Sequence, residues 1–546
     1  MDKTKENVAG NFIKQGSILA AASILVRIIG LLYRIPMANI LGDEGNGIYS
    51  AAFEIYNILL IISSYGMPLA VSKMVSARCV NGEYRSAYRI FGYALLFSAI
   101  SGGLMALFVY FGADLIESFS KYNGVAIPLR ILAPTIFIVA VMGVFRGLYQ
   151  GKNTMIPTAL SQVLEQVVNA FVSVVAAYMF MRAHSSSKLI SAWGAAGGTL
   201  GTCLGALTAL ILLLFIYMLY RPTMRRQMRR DRVSDYEFPS EIMMVILATI
   251  VPIILSQTVY QISGVIDLFL FSKIMDGNGY SSVVINTAQG IYSTKYRLLV
   301  SVPIAVSTAI ASSMIPSMVA SSVNDDDTMV QKKAGMAVKF NMVIAFPSAV
   351  GLAVLGEPIV RLLFRGTDYV TGGRLLLLGS SCVIFYALST VTSAVLQSID
   401  RMRYPVYHSI ASLIIHIILI VVLLQVTDIG VYALMVGNVT YPLVVCILNA
   451  ISVRKYLGMR QEVIKTFLVP FFSSAIMGAL AFGCYQLLHL VTHSNVISLI
   501  PAIAVAIAVY FSLVLVFKGL TTQELYEFPM GGRLVRLARK MHLIQE

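Results

Sequence analysis

Charge is what this sequence has least of. Only 12% of its 546 residues are Asp, Glu, Lys or Arg, about half the share of an ordinary soluble domain, and 58% are hydrophobic. That balance excludes a water-exposed globule of this size. The five cysteines are scattered, with no CxxC and no His–Cys grouping. They read as small apolar fillers and argue against a metal centre or a disulfide framework. The six histidines are equally dispersed, and neither HExxH nor GxxxxGK[ST] occurs. No loop is long enough to hold catalytic machinery, which argues against an enzyme, and no cofactor is expected. The opening stretch MDKTKENVAGNFIKQG is polar and lacks the pattern of a cleavable secretory signal.

Apolar runs of about 20 residues fill the space left by the missing charge. They predict an all-α polytopic membrane protein with 14 transmembrane helices, near residues 13–36, 48–73, 90–112, 126–148, 156–181, 191–220, 242–272, 283–319, 339–363, 375–398, 405–426, 429–452, 464–489 and 495–518. The eighth run is longer than a bilayer requires, so a tilt, kink or extension is expected there. GDEGNGIYS (42–50) reads as a tight turn between the first two spans. The formal charge of +15 is concentrated in the first tail, in every second loop and in the last segment. By the positive-inside rule both termini are cytoplasmic, and nucleic acid is not needed to explain the charge.

The longest polar break, RPTMRRQMRRDRVSDYEFPSE (221–241), divides the chain. MPLAVSKMVSA (67–77) before it matches VPIAVSTAIAS (302–312) after it, and LYQGKNTMIP (148–157) matches LQSIDRMRYP (396–405) in the same order. Two pseudo-symmetric six-helix lobes follow: an N-lobe over 1–220 (helices 1–6) and a C-lobe over 242–456 (helices 7–12), joined by the basic linker 221–241. Helices 13–14 (457–520) stand outside the repeat as a lipid-facing addition or a dimer surface. The tail 521–546 ends in GRLVRLARKMHLIQE, a basic amphipathic helix suited to an anionic leaflet.

Polar residues inside spans are the candidate site. Arg27 and Arg34 are seven residues apart, on nearly one face and roughly 10 Å apart along the axis. Lys295 and Arg297 lie near the middle of the eighth span, where a charge costs at least ~2.5–3.5 kcal/mol. Arg297 has Asp267 as an alternative ion-pair partner. Lys295 points about 160° away from Arg297 on an ideal helix, so only a distorted helix brings both to one cavity. Further polar positions follow helical spacing: Glu54 and Asn57, then Gln162, Glu165 and Asn169, then Tyr260 and Asp267, and finally Gln289. Each stripe alone could serve interhelical hydrogen bonding. Together with the arginines they favour a polar cavity between the halves. Guanidinium groups suit bidentate phosphate or carboxylate recognition, so the cavity favours a bulky anion. Glu54, Glu165 and Asp267 keep an exporter of cations open. His416 reads as a structural histidine, with a proton relay as the alternative. Without an ATPase motif, energy would come from the membrane potential, from Na+ or H+ gradients, or from the substrate gradient.

The stretches SILVRIIGLLYRIPMANILG (23–42), YGMPLAVSKMVS (65–76), LYQGKNTMIP, QISGVIDLFLFS (261–272) and YRLLVSVPIAVSTAIASSMIPSM (296–318) resemble the MurJ-type lipid II flippases. They resemble equally the stage V sporulation protein B group of the multidrug/oligosaccharidyl-lipid/polysaccharide exporter superfamily, Gram-positive branch. The resemblance implies a bacterial cell-membrane flippase that moves undecaprenyl-pyrophosphate disaccharide pentapeptide to the outer leaflet by alternating access. It implies that Arg27, Arg297 and Arg34 meet the pyrophosphate and sugar, and that helices 13–14 form a groove for the lipid tail. A monomer is expected, with membrane lipids and cell-wall synthesis proteins as its partners. A flippase for another polyprenyl-linked glycan, a cation-coupled small-molecule exporter, and a scaffold for cell-wall synthases remain alternatives.

Overall fold

The computed structural model describes residues 2–64, 66–231, 238–323, 326–365, 368–459, 461–527 and 531–540. Among them every regular element is helical. Among the described residues eleven helices are long and apolar enough to cross a membrane, or twelve when a pair bent by 47° is counted as one span. Packing divides the chain into two compact units, Met1–Gly290 and Ile291–Glu546. This boundary lies within the eighth predicted span, not at the 221–241 break.

Unit 1 begins with α1 (Asp2–Ser64), followed by α2 (Met67–Val80), α3 (Tyr84–Ser120), α4 (Ala126–Gly151), α5 (Ile156–Ala183), α6 (Ile190–Arg230), α7 (Pro239–Gly277) and most of α8 (Ser282–Ile291). The predicted turn at 42–50 is corrected here. Helix α1 runs through it, and only Gly42 leaves helical geometry, with φ 66°. That conformation favours glycine. The amide of Asn46 donates to the carbonyls of Ala38 (2.9 Å) and Gly42 (2.6 Å), so the break leaves these acceptors satisfied.

Two glycine ladders set the close packing of unit 1. In α6, a Cβ added at Gly197, Gly201 or Gly205 would lie 2.4 Å from the Ala176 carbonyl, 2.1 Å from the Ser173 hydroxyl and 2.6 Å from the Glu165 carbonyl, all on α5. In α4, Gly147 and Gly151 do the same against Pro68 and Ser72 of α2, each at 2.8 Å from a carbonyl. Lipid offers no hydrophobic gain for helix association, so bare backbone at i, i+4 spacing lets van der Waals contact take that role. Neither ladder depends on charge.

Unit 2 opens on a π-helical turn, Tyr292–Arg297, that leads into α9 (Leu298–Val323). This turn lies inside the long eighth predicted span. There follow α10 (Asp327–Leu363), the bent pair α11 (Tyr369–Gly379) and α12 (Cys382–Ser398), α13 (Arg403–Val426) and α14 (Val431–Leu457). A second π turn (Ile464–Leu468) leads into α15 (Val469–Thr492), and α16 (Asn495–Val516), α17 (Thr522–Glu527) and α18 (Gly531–Lys540) complete the unit.

The tail is anchored to unit 2. Lys339 of α10, buried at 4% exposure, donates to both carboxylate oxygens of Glu524 in α17 at 2.8 and 3.0 Å. Val535 of α18 is buried with Leu525, Val514 and Phe340. Part of the apolar face assigned from sequence to the leaflet is therefore occupied by protein. Burial pushes the Glu524 carboxyl up, but hydrogen bonds from Lys339 and Thr521, with the Lys339 charge, outweigh it and hold the group below its ordinary value. A lowered acid contributes stability above its unfolded pKa of about 4.3 and loses it as pH falls through the lower folded value. Protection of the amides of 522–527 and 531–540, measured against their intrinsic exchange at each pH, is therefore expected to be high at pH 7 and to fall below about pH 4, and Glu524→Gln should give the low protection at pH 7.

Candidate functional site

In unit 1 the site is built on α1. Arg27 and Arg34 are exposed, and Gly30 between them lies on the same helix face. A Cβ at Gly30 would lie 3.1 Å from the amide nitrogen of Gln166 on α5. The arginine face of α1 thus adjoins the polar stripe of α5. Along that stripe Gln162 is half-buried and its Oε1 lacks a hydrogen-bond partner. Glu165 accepts from Arg146 of α4 at 2.7 Å, and the Arg146 Nε donates to Ser161 at 3.0 Å. Their side chains are 26% and 14% exposed, so the pair is largely withdrawn from solvent.

Asn169, one turn further, does not join this group. It is buried, and its Oδ1 accepts from Ser173 (2.8 Å) and Thr202 of α6 (3.4 Å). Its surroundings are the glycine ladder between α5 and α6, which makes it an interhelical hydrogen-bonding residue. Arg146 is not marked by the sequence, because it lies close to the polar loop after α4, where positive charge already follows from the topology. Its spacing from Glu165 across a loop carries no periodic signal.

The opposite end of α1 meets α7. A Cβ at Gly264 would lie 2.8 Å from a Glu54 carboxylate oxygen, so that carboxylate packs onto bare α7 backbone. Asp267, three residues along, is half-buried, and the fully buried Tyr122 donates to the neighbouring Leu268 carbonyl at 3.4 Å. Asn57 is exposed, and the side chain of Tyr260 lies outside the described residues. Gln289 of α8 is 3% exposed, with its amide nitrogen 3.4 Å from the Ser50 hydroxyl and its Oε1 without a partner.

In unit 2 the π turn separates the two cations of the eighth predicted span. Lys295 is 1% exposed, and its Nζ donates to the Asp368 carbonyl at 2.8 Å. Asp368 caps α11 by accepting from the Thr371 amide (3.0 Å) and hydroxyl (2.6 Å). Lys295 therefore fastens the π turn to the start of α11 and is not open to a ligand in this conformation. A long lysine stem buried against Gly372 explains the difference from the sequence expectation. Arg297 is half-buried at the end of the same turn. Tyr296 between them is fully buried and donates toward Gly379 (3.0 Å) and Asn438 (3.1 Å). His416 is buried with Nδ1 3.0 Å from the Gly437 carbonyl, an interhelical contact between α13 and α14.

Solved proteins share this architecture. A lipid II flippase MurJ in an inward closed conformation aligns with TM-score 0.67 at 17% identity over 91% of this chain and 98% of that one. An inward-facing multidrug resistance MATE family transporter of the MOP superfamily aligns with TM-score 0.64 at 16% identity over 79% and 94%. Identities this low speak for fold alone. The class is that of all-helical, multi-pass membrane proteins.

Residues 12–322 match the family described as polysaccharide biosynthesis protein, and the chain belongs to that family. Among curated relatives, stage V sporulation protein B of Bacillus subtilis (strain 168) is 24% identical over 96% of this chain and 99% of that protein. Lipid II flippase MurJ of the same strain is 23% identical over 84% and 86%.

Proposed function

We propose that the chain is a flippase for a lipid-linked anionic glycan, with lipid II as its substrate. In this reading it carries undecaprenyl-pyrophosphate disaccharide pentapeptide from the inner to the outer leaflet by alternating access. The observation that carries it is the state of the charges inside the spans. Arg27 stands exposed on α1, with Arg34 two turns on along the same face, whereas the Glu165 carboxylate is held by Arg146. A diphosphate needs cations in its path. Arg297 supplies a third, and Lys295 acts as a positioning residue for the π turn that carries it. The similarity to the Bacillus flippase supports the same substrate class.

The finer topology follows this reading. The Gly42 break divides α1 into two spans, and α7, whose apolar part is 239–255, adds another. Together with the bent pair these bring the number to fourteen, an even count that puts both termini on one side, the cytoplasmic side by the charge distribution. Gradient coupling through the membrane potential, Na+ or H+ accompanies the cycle.

A cation-coupled exporter is the second reading, favoured by the MATE-like fold. It requires a carboxylate that changes state during transport, and the two readings diverge at Glu165. For the flippase, Glu165→Gln leaves Arg146 without its partner and lowers stability by about 3 kcal/mol, while Arg146 and Glu165 replaced together by Met and Gln recover most of it. Melting temperatures in detergent read this cycle. The exporter predicts instead that Glu165→Gln abolishes drug resistance at full stability.

A further inference from the structure

Unit 2 holds a cleft that none of the residues above line. Its walls are the last turns of α10, the middle of α11 and the outer half of α15, and it encloses about 590 Å³. That volume falls within the usual range for small-molecule sites, about 300–1,000 Å³. Its floor and its rim differ sharply in chemistry. Ala353 and Val354 of α10, Leu377 of α11, and Ala479 and Phe482 of α15 make an apolar floor. The rim carries Arg361, Arg374, Glu357 and His489.

Both rim arginines are exposed, and neither is in an ion pair or a hydrogen bond among the described residues. Arg361 lies over the Tyr369 ring, its guanidinium carbon 5.4 Å from the centroid, which orients the group without neutralising it. The rim is braced from below. Asn495 of α16 donates to the Pro358 carbonyl at 2.9 Å and accepts from the Tyr485 hydroxyl at 3.0 Å. Tyr485 in turn stacks on His489 with centroids 5.4 Å apart, and the buried Nδ1 of His489 has no partner. By the charge distribution this end of unit 2 faces outward, where Lys and Arg are scarce, so two arginines at one cleft are not explained by topogenesis.

We propose that the cleft binds a phosphate-bearing lipid, with the phosphoryl group on Arg361 and Arg374 and the first methylenes over the apolar floor. Guanidinium forks match phosphate oxygens bidentately, and an apolar floor below a cationic rim has the polarity of an anionic amphiphile. The single carboxylate, Glu357, leaves the rim net positive. Arg27, Arg34 and Arg297 are not among its lining residues, and the proposal does not rest on the flippase reading. It would serve either a membrane phospholipid or a polyprenyl phosphate.

Native mass spectrometry of the full-length protein in detergent distinguishes these sources. The probes are phosphatidylglycerol, undecaprenyl phosphate, diacylglycerol and inorganic phosphate. Both phosphate lipids should bind at least about tenfold more tightly than diacylglycerol, which corresponds to the loss of one charge-assisted contact. The preferred lipid names the source, and either preference supports the site. R361Q/R374Q should remove that tenfold advantage, and Ala479→Phe, which fills the floor and leaves the charges, should weaken both lipids without touching the rim. Equal binding of diacylglycerol and phosphatidylglycerol, or unchanged binding by both variants, would overturn the proposal. So would inorganic phosphate competing as well as the lipids, since the floor would then contribute nothing. Melting temperatures within a few degrees of the parent protein confirm that each variant is folded.

Discussion

Arg27→Ala and Arg297→Ala are each expected to lower lipid II translocation roughly a hundredfold while leaving the amount of membrane-inserted protein unchanged. A guanidinium that grips a diphosphate through two charge-assisted hydrogen bonds contributes on the order of 3 kcal/mol, and alanine removes both bonds and the charge. Stability should barely move for Arg27, because its side chain is exposed and makes no hydrogen bond or ion pair among the described residues. Lysine at position 27 keeps the charge but loses the fork, so activity should fall between the two. Complementation of a flippase-depleted cell, with immunoblots for protein level, measures all three variants. If both alanine variants complement fully, the arginines are not the substrate contact, and the scaffold or exporter readings take precedence.

The second large effect is structural. Helix α8 crosses α1 through two glycines in reciprocal contact. A Cβ at Gly47 would lie 1.8 Å from the Asn286 carbonyl oxygen, and one at Gly290 would lie 1.8 Å from that of Asp43. Both obstacles are backbone, so no rotamer change relieves them. Gly47→Ala and Gly290→Ala should each destabilise the protein by at least about 3 kcal/mol, at the upper end of overpacking penalties. Because α8 continues directly into the π turn, the same changes should displace Arg297 and reduce transport even at low temperature. Gly92, which has nothing within 4 Å of an added Cβ, is the control. Its alanine variant should be as stable as the parent or slightly more so, since alanine favours helix. Melting in detergent separates these outcomes by several degrees.

The membrane-helical character of the chain was legible because hydropathy is a property of each run alone. The number of spans was less so. GDEGNGIYS has the composition of a turn, yet Asn46 caps a single-residue break at Gly42 and the helix continues on either side. Intramembrane arginines were visible as anomalies of cost, which is why Arg27, Arg34 and Arg297 could be singled out. The partners of such groups were not visible. Arg146 meets Glu165, and Lys295 meets the Asp368 carbonyl, across separations that only tertiary packing closes. Helical spacing placed Asn169 and Glu165 in one stripe, but the glycine ladder of α6 draws Asn169 into the bundle and leaves Glu165 to Arg146. The π turn has no sequence signature that distinguishes YSTKYR from ordinary helix.

The most direct measurement is the accessibility of lipid II to an outer-leaflet probe after acute depletion of this protein, in cells that carry no second flippase. The account predicts that surface-labelled lipid II falls within one generation while the total pool rises, and that the parent protein restores it where Arg297→Ala does not. Surface lipid II that stays constant through depletion would contradict it.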